Sequence, residues 1–188
     1  ASGVNNDQQA IIWDTQTRRP IRHLQDPITN PQQPAGVTVG WSPDGSTLAM
    51  TGERGRILLW RAADGRRLAA WTADTRSVVC VAFSPNGSLL AAGGEGDRQV
   101  TLWDVASHKL VGRLPHPNFV YSVAFDPASR TLAASTADYK IRLWDLASLR
   151  QIGRPLPGDE RGSGTNISVF DPSGKHLIAV YDGGAAFV

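Results

Sequence analysis

The sequence predicts an all-β protein assembled from one repeated unit of four short antiparallel strands, and three observations predict it. An aromatic residue followed by a four-residue turn occurs four times: Trp41 before Ser42-Pro43-Asp44-Gly45, Phe83 before Ser84-Pro85-Asn86-Gly87, Phe125 before Asp126-Pro127-Ala128-Ser129, and Phe170 before Asp171-Pro172-Ser173-Gly174. A tryptophan closing an alternating apolar stretch recurs in Ile11-Ile12-Trp13-Asp14, Leu58-Leu59-Trp60-Arg61, Thr101-Leu102-Trp103-Asp104 and Arg142-Leu143-Trp144-Asp145. Helical periodicity is absent throughout.

The two marks keep one phase. The turns begin at residues 42, 84, 126 and 171, at intervals of 42, 42 and 45, and the tryptophans are 47, 43 and 41 residues apart. From turn to tryptophan the distance is 18, 19 and 18 residues in the three complete units. A fixed period of this size is the signature of a repeat architecture.

Each element of the unit has its own chemistry. Proline at the second turn position pre-sets φ near −65°, and Asp-Gly or Asn-Gly supports the tight reversal after the first strand. Leu48-Ala49-Met50, Leu89-Leu90-Ala91-Ala92, Leu132-Ala133-Ala134 and Leu177-Ile178-Ala179-Val180 follow, apolar enough for a central strand covered on both faces. A Gly- or Asp-containing turn leads into the third strand with its tryptophan. The fourth is more polar, as in Arg66-Arg67-Leu68-Ala69-Ala70-Trp71 and Lys109-Leu110-Val111-Gly112-Arg113-Leu114, which suits an outer edge.

Four strands, a period near 40 to 45 residues and a terminal Trp-Asp resemble the WD40-repeat family. The resemblance covers essentially the whole chain and implies a β-propeller of four-stranded antiparallel blades. The propeller is expected to be incomplete, with three full blades plus partial blades at both ends. In one propeller domain, residues 1–24 would form a partial blade, 37–71, 78–114 and 119–156 full blades, and 166–188 a second partial blade. The turn-to-tryptophan spacing places a further tryptophan at position 189, so the chain reads as a fragment of a larger propeller, marginally stable or aggregating alone.

Blades of this family often carry a buried hydrogen-bonded set of His, Ser or Thr, Asp and Trp. The repeat-motif residues here are Trp13, Asp14, Trp60, Trp103, Asp104, Trp144 and Asp145. Six residues before the tryptophan the Asp position holds Asp7, Asp97 and Asp138, but Arg54 in the second blade. His116 fits the His position only in the unit ending at Trp144, where Ala134, with Ser135 beside it, takes the second-strand position. The sets are therefore incomplete, and a structural Asp138–His116 contact is expected in that blade.

Catalytic groups are few. His23, His108, His116 and His176 occur singly without metal-ligand spacing, and His23, His108 and His176 read as solvated surface. Gly93-Gly94-Glu95-Gly96 lacks the Gly-Lys-Ser/Thr ending of a phosphate loop and reads as a hairpin turn. Cys80, the single cysteine, excludes a disulfide framework and a Cys-based zinc cluster, and reads as a buried small hydrophobe. No catalytic residue, metal or cofactor is expected.

The net charge of +2 is too small to argue for nucleic acid, and no apolar run approaches the length of a membrane span. Arg54, Arg56, Arg61, Arg66 and Arg67 cluster in one blade and read as a solvated rim in preference to a site for an acidic partner. Phe119 and Tyr121 flank the start of a first strand, where they would either anchor a partner or be buried between blades. Arg54, Arg98 and Tyr139 complete the candidate partner-binding set. The long connections Gln25 to Gly36 and Gly158 to Thr165 are further places for contacts. The function expected is a protein or peptide interaction scaffold or sensor, cytoplasmic, beside neighbouring domains of a bacterial multidomain signalling protein. The alternative is the propeller of an enzyme or periplasmic carrier with a site in its channel.

Overall fold

The computed structural model describes residues 2–4, 9–25, 38–74, 76–158, 165–181 and 186–187. Their strands form five antiparallel sheets in chain order. The first holds β1 (Ser2–Val4), β2 (Gln9–Trp13) and β3 (Pro20–Gln25). The second holds β4 (Val39–Trp41), β5 (Thr47–Gly52), β6 (Arg56–Arg61) and β7 (Arg67–Thr72). In the third are β8 (Val78–Phe83), β9 (Leu89–Gly94), β10 (Gln99–Asp104) and β11 (Leu110–Pro115). The fourth comprises β12 (Val120–Phe125), β13 (Thr131–Thr136), β14 (Lys140–Asp145) and β15 (Arg150–Pro157), and the fifth β16 (Thr165–Phe170), β17 (Leu177–Tyr181) and β18 (Ala186–Phe187). Every pairing joins consecutive strands, so each sheet is an up-and-down meander like the blade of an incomplete propeller.

The first strands line up, β4 beside β8, β8 beside β12 and β12 beside β16. Strand periodicity then sends alternate side chains to opposite neighbours. Leu48, Met50, Leu58 and Trp60 pack against Ala10, Ile12 and Leu24 of the first sheet. The interleaved Ala49, Ile57 and Leu59 pack against Val78, Leu90 and Ala92 of the third. A third core joins Ala91, Leu102 and Leu114 to Val120, Leu132 and Trp144, and a fourth joins Ala133 and Ile141 to Ala179. The cores lie between sheets, so no sheet buries its apolar faces alone.

The tryptophans occupy one place in the unit. Trp60 pairs with Leu48, Trp103 with Leu90 and Trp144 with Leu132. All three face the preceding sheet, while Trp13, with no preceding sheet among the described residues, is 46% exposed.

The turns repeat as well. The hydroxyl of Ser42 accepts the Thr47 amide, as Ser84 accepts that of Leu89, both at 2.9 Å. Carboxylates do the same work at Asp126, which accepts the Thr131 amide at 2.6 Å, and at Asp171, which accepts that of His176 at 3.1 Å. One expectation is corrected here. Gly93 and Gly94 end β9 rather than forming the hairpin turn, because a Cβ on Gly93 would meet Val120 Cγ1 at 2.6 Å and one on Gly94 the Ser77 carbonyl at 1.9 Å.

Candidate functional site

The antiparallel meander sorts its connections onto two rims. First-to-second and third-to-fourth turns share one rim, here the turn rim. Second-to-third hairpins and the connections between sheets share the other, the loop rim, which carries the candidate binding residues.

The aspartate after each tryptophan belongs to the turn rim and is a turn-builder. Asp14 accepts the amides of Gln16 and Thr17 at 2.8 and 2.7 Å. Asp104 accepts the Ser107 hydroxyl and amide at 2.6 and 2.7 Å, and Asp145 those of Ser148 at 2.6 and 2.8 Å. These bonds favour the ionised carboxylates and hold all three pKa values below the ordinary Asp range, led by the Thr17 amide at Asp14 and by the Ser107 and Ser148 hydroxyls at the others.

The buried polar set of the fourth sheet differs from expectation. Trp144 Nε1 donates to His116 Nε2 at 3.2 Å, and His116 Nδ1 donates to the Leu114 carbonyl at 2.8 Å. The assignment requires the neutral Nδ1–H tautomer, and burial does push the His116 pKa down to about 4. Asp138 does not hydrogen-bond His116. It takes a bidentate contact from Arg142, 2.6 Å to NH2 and 3.1 Å to NH1, and accepts the Thr136 hydroxyl. Partial burial would raise the Asp138 pKa, but the Arg142 and Thr136 bonds outweigh it and hold the group below the usual value. Arg142 is the buried cation that the motif does not foresee; Leu58 and Thr101 stand in its place in the second and third sheets. Ser135, beside the expected second-strand position, has a buried hydroxyl with no partner among the described residues.

In the third sheet the position matching His116 is Asp74, 42 residues earlier and 4% exposed. Its carboxylate accepts the amides of Arg76, Ser77, Gly96 and Asp97, clamping the inter-sheet connection onto the hairpin. Asp97 lies half-buried in that hairpin, where Gln99 Nε2 is 3.5 Å from it. With Asp74 engaged by amides, Trp103 Nε1 has no partner, and neither has Trp60 Nε1, among the described residues. Asp7, and most of the two long connections, lie outside the described residues.

At the loop rim, Arg54, Arg98 and Tyr139 sit at the hairpin tips with φ of 55°, 52° and 61°. These are left-handed conformations that cost a residue with a Cβ about 1 kcal/mol. Arg54 and Arg98 are exposed and Tyr139 is half-buried. Phe119 and Tyr121 are also half-buried, with Tyr121 inside the register shift between Val120 and Ser122, so neither of the two expected extremes holds fully. His23 and His176 are exposed, whereas His108 is half-buried and stacks on Trp71 at 5.9 Å between ring centres. That corrects its reading as solvated surface.

Sequence reading missed a series on, or immediately before, the first strands of the sheets. Thr38, Cys80 and Ser122 recur every 42 residues. Thr38 Oγ1 donates to the Val79 carbonyl at 2.9 Å, Cys80 Sγ lies 4.0 Å from that of Val120, and Ser122 Oγ accepts the Ser168 amide at 3.1 Å. Each ties its strand to the next sheet. Burial pushes the Cys80 thiol up to about 12, so it is not a nucleophile at neutral pH. No group of three or more metal-ligating side chains occurs among the described residues, and no helix there is long and apolar enough to cross a membrane.

Residues 65–104 and 108–145 match the family model described as WD domain, G-beta repeat. A curated WD repeat-containing protein of Schizosaccharomyces pombe, itself uncharacterized, is 29% identical over 185 residues, covering 95% of this chain and 45% of that protein. The chain thus spans about half the length of the curated relative it matches.

Proposed function

We propose that this chain, two segments of which match the WD40-repeat model, is a binding platform of the WD40 kind that presents its loop rim to a protein or peptide partner, since WD40 repeats generally serve as protein–protein interaction scaffolds. The observation that carries this reading is the placement of Arg98 and Tyr139 at equivalent hairpin tips, both with left-handed backbones. Arg18, His108, Ser129 and Leu149 adopt positive φ on the turn rim, where His108 and Leu149 gain packing against the preceding sheet and Ser129 accepts the Asn86 amide. Among the described residues the Arg98 side chain has no hydrogen bond or ion pair to offset its conformational cost. Strain of this kind concentrates at functional positions.

The finer reading is a cytoplasmic sensor or scaffold module of a multidomain signalling protein. The arginine-rich composition supports a bacterial source for it, although the matched relative comes from a yeast. WD40 repeats are generally not catalytic, and the inner strands offer Thr38, Cys80 and Ser122 already engaged in seam contacts.

Partner capture by the purified chain tests the platform reading. The double variant Arg98→Glu/Tyr139→Ala should bind a captured protein or peptide at least about tenfold more weakly, with an unchanged melting temperature. Undiminished binding would refute it. Hydrolase activity lost on Asp138→Asn in a folded protein would favour the channel enzyme instead.

A further inference from the structure

On the turn rim, consecutive sheets meet through equivalent positions that are filled unequally. The residue two after each tryptophan is Ala62, Val105 or Leu146, and the residue five after it is Gly65, His108 or Leu149. In the fourth sheet both are leucines. Leu149 seats on Gly112 of the third, where an added Cβ would meet Leu149 Cδ1 at 2.4 Å. The notch beside Leu146, lined also by Ser129, Arg130, Asp145 and Ala147, is about 280 Å³. At the third sheet His108 covers Trp71. At the second sheet the same places hold Ala62 and Gly65, and the corresponding notch opens to about 690 Å³.

Ile21, Ser46, Arg61, Ala62, Ala63 and Leu68 line this larger notch. Ile21 and Leu68 hold the same position on adjacent outer strands, eight residues after Trp13 and Trp60, and are 45% and 37% exposed. Arg22 lies across the same seam, with NH2 donating to the Ala63 carbonyl at 3.1 Å. A pocket of several hundred Å³ with apolar walls accommodates a bulky side chain.

The charge around it is net positive, although Asp14 and Asp44 stay ionised and Asp64 pairs with Arg61. Asp14 is held by turn amides, Asp44 by the hydroxyls of Ser42 and Ser46, and Asp64 by Arg61 and the Arg66 amide. Arg18, Arg19, Arg66 and Arg67 flank these residues in the chain, and none of the four pairs with a carboxylate among the described residues. We propose that the notch between the first and second sheets docks a bulky apolar side chain carried by an acidic segment of a partner protein. The site lies on the rim opposite Arg98 and Tyr139, so the two readings fail independently.

The probe is a short fluorescein-labelled peptide rich in Asp and Glu with one central Phe, titrated by anisotropy against the 188-residue chain. Binding should weaken with added salt, about tenfold in Arg66→Glu/Arg67→Glu, and by a similar factor when the peptide Phe is replaced by Ser. Ala62→Leu, which imitates the fourth sheet, should abolish the Phe-dependent part. Leu68→Ser gives the same readout should Ala62→Leu fail to fold. The proposal is overturned if the peptide does not bind, if the Ser peptide binds equally, or if folded Ala62→Leu and Leu68→Ser retain full affinity. A concentration-dependent dimer abolished by Leu68→Ser would overturn it too, since the occupant would then be a second copy.

Discussion

Trp144 reaches 28 residues back to His116, its indole N–H donating to Nε2 at 3.2 Å with the rings 5.4 Å apart. The bond fastens the third strand of the fourth sheet to the connection that precedes its first strand. It exists only while His116 is neutral.

Acid should therefore loosen the fourth sheet in a defined window. The His116 pKa is pushed down to about 4 by burial, whereas an unfolded histidine titrates near ~6.5. Between those values the unfolded chain binds a proton that the native chain does not. The contribution is complete above about pH 6.5 and is lost as pH falls toward 4, amounting to about 3 kcal/mol. Urea titrations across this range check it. His116→Gln should be less stable at pH 7 and show a flatter profile between those limits.

Removing Arg142 should hurt more than removing its whole ion pair. Arg142→Leu strips the half-buried Asp138 of its cation and leaves it the Thr136 hydroxyl alone as a side-chain donor, at a cost of about 2 kcal/mol. Arg142→Leu/Asp138→Asn should recover part of that loss. A double-mutant cycle from denaturant midpoints measures the coupling, and simple additivity would contradict it.

Two glycines should respond differently to alanine. At Gly94 an added Cβ would lie 1.9 Å from the Ser77 carbonyl, so backbone must shift and the melting temperature should drop by several degrees, for about 2 kcal/mol or more. Gly153 has φ +62° with nothing within 4 Å, so Gly153→Ala should cost only about 1 kcal/mol. Thermal melts of both variants decide it.

Cys80 should be silent toward thiol reagents in the folded chain. It is 8% exposed, donates to the Gly93 carbonyl at 3.5 Å and has its pKa pushed up to about 12 by burial. Labelling by a disulfide reagent at pH 8 should proceed at the rate of unfolding and become immediate in denaturant.

The repeat was legible because its marks are chemical necessities: proline in the turn, aspartate closing the next hairpin, tryptophan facing the preceding sheet. The polar interior was less so. A motif reserves the Asp position for Asp138 but is blind to a competing partner, and Arg142 on the adjoining strand outbids His116 for it. Asp74 and the Thr38, Cys80 and Ser122 series were within reach, since their 42-residue spacing is written in the chain. They lay outside the named motif and went unaligned. The positive φ of Arg98 and Tyr139 carries no compositional flag, because the residues that usually announce that conformation are glycine and asparagine.

The small groups at Thr38, Cys80 and Ser122 also govern curvature. Near the axis, adjoining strands are held apart by one hydroxyl or thiol; farther out, by leucines and an indole. Neighbouring sheets must then splay like book pages bound at a thin spine. A bulkier residue at any of the three would widen the spine, flatten the arc and change how many such pages a full circle can hold.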